Sequence, residues 1–169
     1  MPFPDEQYFR ASPYFAQLDQ ESGQFRVSYF EQLDTTLPKP LRTFLLAPET
    51  AEQIVQVATS FGLHENQMGA LARIVRQIVT GHLFIKDLPA ALIKNLVLEK
   101  EGATAITAEI IKTLFASVLD DIKRVQQERF ADRLHELAQQ KNKNTAAPPL
   151  RQGTNPHNII DLRKDKNSP

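Results

Sequence analysis

Four histidines, at positions 64, 82, 135 and 157, and one adjacent acidic pair, Asp120-Asp121, are the residues of this chain best suited to metal or acid–base chemistry. Their spacing assigns them neither. No histidine has the i, i+4 histidine partner or the carboxylate spacing of a zinc site, and His135-Glu136 lacks the second histidine of a metalloprotease helix. Neighbours on a helix project about 100° apart, so Asp120 and Asp121 are poorly placed to share a proton or a metal. Asp19-Gln20-Glu21-Ser22-Gly23 opens like a calcium loop but lacks the alternating acids and terminal glutamate, and reads as a turn. Glycine-rich phosphate loops and the G-x-S-x-G nucleophile elbow do not occur, and cysteine is absent. The reading is therefore non-enzymatic, with no catalytic residue, cofactor or metal expected.

A second kind of chemistry is recognition. Eight of the thirteen aromatic residues lie in the first thirty positions: Phe3, Tyr8, Phe9, Tyr14, Phe15, Phe25, Tyr29 and Phe30. The surrounding segment is polar and bears prolines, so these rings must pack onto a body elsewhere or dock on a partner. Phe9, Tyr14 and Phe15 are the anchors expected, because buried rings dominate interface energetics.

Charge divides the chain in three. Residues 1–36 carry two arginines against six acids, a net of −4; residues 37–140 balance twelve against twelve; residues 141–169 carry six bases against two acids, a net of +4. An acidic aromatic arm (1–27), a neutral helical domain (28–140) and a basic disordered tail (141–169) are the expected divisions. The tail contains an apolar island, Asn158-Ile159-Ile160-Asp161-Leu162-Arg163, of the kind that adds a strand or short helix to another protein. Its contact candidates are Ile159, Ile160, Leu162 and Arg163.

The elements that would position these features are helices. Phe30 and Leu33 share a face of a short helix. Pro38 and Pro40 start another, with Leu41, Phe44 and Leu45 inward. Pro48 restarts the chain into Ile54, Val57, Ala58 and Phe61, and Gly62 ends it. Met68 to Val79 reads as the central core helix, closed by Gly81, and Asp87 caps a helix through Leu92, Ile93 and Leu96. The longest run carries Ile106, Ile110, Leu114, Phe115, Val118, Ile122 and Val125, and continues more weakly through Phe130, Leu134 and Leu137. That last stretch, 118–140, is the expected surface for self-association or for a partner helix.

Leu37-Pro38, Leu41, Leu45, Ala51, Ile54 and Ala58 match Leu88-Pro89, Leu92, Leu96, Ala103, Ile106 and Ile110 with one extra residue in the second connection. The expected fold is all-α: a compact five- to six-helix bundle with two helix-pair pseudo-repeats around a central helix, a long C-terminal helix and flexible tails. This layout and the terminal island resemble small uncharacterised all-α proteins of reduced-genome bacteria, a likeness that implies no activity.

The leading functional expectation is a non-catalytic cytosolic adaptor or scaffold that binds proteins through its tails. The N-terminus is acidic where a targeting signal would be basic, and no long apolar run suggests a membrane. A nucleic-acid- or ribosome-associated factor using the basic tail is the alternative, since Arg73, Arg76, Lys94 and Lys112 are too scattered for a recognition helix. An enzyme of unrecognised type is third.

Overall fold

The computed structural model describes residues 5–145. Nine α-helices and no strand are found among them: α1 (Asp5–Ala11), α2 (Gly23–Thr35), α3 (Lys39–Leu46), α4 (Pro48–Ser60), α5 (Glu65–Val79), α6 (Leu88–Leu96), α7 (Lys100–Glu109), α8 (Leu119–Arg129) and α9 (Ala131–Thr145). The protein is all-α.

Local chemistry accounts for most boundaries. Pro40 and Pro89 occupy the first turns of α3 and α6, and Pro48 is the first residue of α4, where a missing N–H leaves no bond unmade. Gly62 and Gly81, at φ 64° and 72°, end α4 and α5 in the left-handed conformation open to glycine. Gly81 meets a second demand, because a Cβ there would lie 2.7 Å from Arg129 Cγ and 2.9 Å from Val125 Cγ1. The absence of a side chain lets α8 approach the end of α5. By contrast, α6 ends on Val97, which is left-handed at φ 54° and 88% exposed.

Helix α5 is the centre. Leu71, Ala72, Val75, Ile78 and Val79 are buried with almost no exposure, and α1, α4, α6 and α8 pack against it. Gln126 of α8, itself buried, fastens the turn that follows: its Nε2 donates to the carbonyls of Ile78 (2.9 Å) and Leu83 (3.0 Å), and its Oε1 accepts from Ile85 N–H (3.0 Å). One side chain thus satisfies three backbone groups around the connection from α5 to α6.

Four expectations require correction. The apolar run from Ala103 to Val125 is not one helix: α7 passes through a π-helical segment, Ile110–Leu114, and α8 leaves at 116° to the segment before it. Straight, residues 100–129 would extend about 45 Å, beyond the width of a small domain. Folding at Phe115–Val118 instead buries Phe115, 6.1 Å from Phe44, together with Ile122. The number of helices consequently exceeds five or six among the described residues. A second break at Phe130 separates α8 from α9, so 118–140 is not continuous. Finally, Asp87 makes no side-chain cap on α6; its carboxylate accepts two hydrogen bonds from Arg133 of α9 (2.6 and 3.1 Å).

No single helix among the described residues is long and apolar enough to cross a membrane.

Candidate functional site

The aromatic arm is folded and packed on the body. Helix α1 lies against α4 and α5. Tyr8 Oη donates to the carbonyl of Leu46 (2.8 Å), and Ala11, Ser12 and Ala16 are buried. Residues 18–20 form a 3-10 turn, and the Ser22 hydroxyl accepts from Phe25 N–H (3.1 Å), starting α2 five residues before the expected domain boundary.

A guanidinium holds this arrangement. Arg76 of α5 has no solvent exposure. Its Nη1 donates to the carbonyls of Ala16 (2.8 Å) and Pro13 (3.3 Å), and its Nη2 donates to Glu21 (3.1 Å). Arg73, one turn earlier, donates to both oxygens of Glu21 (2.6 and 3.2 Å). The rings of Tyr29 and Phe25 lie 5.5 and 5.8 Å from the Arg76 guanidinium carbon, within cation–π range. Burial lowers the Arg76 pKa from its ordinary value, opposed by Tyr29 and Glu21, and burial raises that of the Tyr29 phenol. A charge taken so far from water persists only when paired and hydrogen-bonded, and here the arm supplies most of those partners.

The arm's rings continue outward from this anchor. Phe25 stacks on Tyr29 (5.9 Å), Tyr29 adjoins Tyr14 (6.0 Å) and Phe30 (5.5 Å), Tyr14 meets Phe15 edge-on (4.6 Å), and Phe15 meets Phe9 edge-on (5.0 Å). The two edge-on contacts and the stacked Phe25–Tyr29 pair are favourable arrangements for ring quadrupoles. Both ends emerge into solvent, with Phe9 51% and Phe30 41% exposed. Phe30 therefore does not share the inward face of Leu33. Tyr29, one turn before Leu33, takes the buried position because its ring covers Arg76.

Beside Phe9 and Phe15 runs a groove of about 660 Å3 lined also by Glu6, Arg10, Gln17, Asp19 and Glu65. Arg10 bridges Glu6 (2.6 Å) and Glu65 at its edge. Gln17 is left-handed at φ 52° and its amide rests on α5 at Gly69, where a Cβ would come within 3.3 Å of it.

One turn beyond Arg76, the Thr80 hydroxyl and His82 Nδ1 share a 2.8 Å hydrogen bond, and the His82 ring lies 4.9 Å from Phe25. Partial burial, with Arg129 and Arg76 nearby, lowers the His82 pKa from its ordinary value, against the pull of Glu21. Gln32 Nε2 donates to the Thr80 carbonyl (2.6 Å). The polar side chains buried here serve the backbone of the turn.

Of the residues singled out from sequence, Phe9, Tyr14 and Phe15 come together on one face, with Tyr14 and Phe15 half-buried. Phe130 lies apart, 5.1 Å from Phe84, and Leu134 and Leu137 are half-buried on α9. Ile159, Ile160, Leu162 and Arg163 lie outside the described residues. Sequence reasoning missed Glu21, Gln17 and Arg76. A signal existed for the last, since Arg76 stands four residues after Ala72 and three before Val79, on the apolar stripe of α5. Among the described residues, no three His, Asp or Glu side chains gather as a metal site. Comparison with protein-family models, with curated proteins and with solved structures finds no match for this chain.

Proposed function

We propose that this chain is a non-catalytic cytosolic adaptor that binds a partner protein through the aromatic face of its N-terminal arm. The supporting observation is the exposure of Phe9 and Phe30 at the two ends of a ring series whose centre is held by a buried arginine. Rings already fixed by their neighbours lose little freedom on binding, which is the condition under which an aromatic anchor contributes most. The apolar island at Ile159, Ile160 and Leu162 is a second contact for the same or another partner. In this reading the helix pairs α3–α4 and α6–α7 are pseudo-repeats on either side of α5, a scaffold that presents the arm; their Pro-initiated starts support it.

The test is affinity purification of the full chain against a Phe9→Ser, Phe30→Ser variant, both residues being exposed. A partner captured by the natural chain is expected to be lost from the variant, with helical content and melting temperature unchanged. An identical set of partners from both would defeat the reading.

A further inference from the structure

The groove beside the ring series carries a chemical preference. Phe9 and Phe15 wall it, and three carboxylates, Glu6, Asp19 and Glu65, line it against a single cation, Arg10, which is already shared between Glu6 and Glu65. Glu6 and Glu65 are exposed, with side chains 80% and 77% accessible, and Asp19 is exposed on the 3-10 turn. Aromatic faces next to surplus carboxylates recognise a cationic side chain: the ring quadrupole attracts the charge, the carboxylates accept its N–H bonds, and its methylene stem lies along the ring.

The floor points to a peptide as the bearer of that cation. Gln17 occupies a backbone region that non-glycine residues seldom adopt, and the α5 residue beneath it is a glycine, the residue least favourable inside a helix except proline. Both choices work against stability. Together they lay a carboxamide against α5 in a groove that has aromatic walls: its Nε2 donates to the Asn66 carbonyl (3.5 Å), and its oxygen faces no donor among the described residues. The carboxamide oxygen is an acceptor suited to a backbone N–H of a peptide. The volume of about 660 Å3 is on the scale of a specific ligand cleft.

We infer that this groove receives an extended lysine- or arginine-bearing segment of the partner, with the cationic head among Asp19, Glu6 and Glu65 and the stem against Phe9 and Phe15. This deepens the adaptor reading and rests on it, by naming the chemistry of what the arm holds.

The experiment titrates the isotopically labelled full chain with a heptapeptide of alternating lysine and alanine, and separately with its glutamate counterpart. The lysine peptide is expected to shift backbone amides in 6–20 and 65–69, and to bind about fivefold or more weakly to Phe9→Ala and to Asp19→Lys. Both variants lie at exposed positions, and melting temperatures check that they fold. Binding is also expected to weaken as salt is raised, as exposed charge pairs are screened. Equal binding of the glutamate peptide, shifts confined to other regions, or affinities unchanged in both variants would overturn the inference. So would movement of the groove amides on Lys164→Glu, Lys166→Glu substitution with no peptide added, because the chain's own tail would then be the occupant. Loss of the purified partner from the Phe9→Ser, Phe30→Ser variant without lysine-peptide binding would remove the cationic assignment and leave the adaptor reading intact.

Discussion

Arginine fastens both ends of the described chain, in opposite settings. At the arm, Arg76 is fully buried, reaches two carbonyls and a carboxylate, and lies within cation–π range of two rings. At α9, Arg133 grips Asp87 with both nitrogens and sits 4.6 Å from the centroid of the Phe84 ring, yet the two side chains remain 48% and 39% exposed. The same fork of donors is used, and solvent decides what it contributes. Water competes for Arg133 and screens it. At Arg76 no water competes, and removing the side chain strands the carbonyls and the carboxylate that had adapted to it.

This contrast is open to direct attack. The largest effect is expected from Arg76→Ala, which leaves Glu21 with Arg73 alone and two buried carbonyls unpaired. Unfolding free energy should fall by about 3–5 kcal/mol in denaturant titration, and protease cleavage within residues 5–22 should accelerate. A loss well below that, with the arm still protected, would show that ring packing alone holds it.

A smaller, pH-dependent effect is expected beside the same anchor. The folded-state pKa of His82 lies below its ordinary value of 6.5 because burial and two nearby guanidinium groups disfavour its charged form. The unfolded chain therefore binds a proton there more readily than the folded one. The stability this group provides is complete above about pH 6.5 and is lost as pH falls through the depressed value. Nuclear magnetic resonance should place the His82 titration midpoint below 6.5. The decline in melting temperature on acidification should be shallower in His82→Gln, and an equally steep decline would remove His82 as its source. Smallest of all, Arg133→Ala should leave the melting temperature almost unchanged, and high salt should produce the same small change in the natural chain. A large drop would mean that α9 is fastened as firmly as the arm.

Much of the helical order was legible because its signals are local. Pro40, Pro48 and Pro89 mark starts, Gly62 and Gly81 mark ends, and each acts through its own backbone dihedrals or its missing N–H. The bend between α7 and α8 carries no proline or glycine. It follows from the need to bury both Phe115 and Ile122 within one small core, which is a property of the whole chain. Arg76 reads from sequence as one of four scattered cations because charge is ordinarily taken for exposure, although its place on the α5 stripe argues the reverse. Phe9, Tyr14 and Phe15 could be chosen by residue type alone. The groove that Phe9 and Phe15 border could not, since Glu65 and Gly69 reach it from a helix some fifty positions away.

The arginine that holds the arm also imposes an order of events when the chain is made. Arg76 lies 60 residues beyond the Ala16 carbonyl it binds. At about 5–20 residues per second, the arm's rings emerge on the order of 3–12 s before their anchor. During that interval they are available to any chaperone at the tunnel exit.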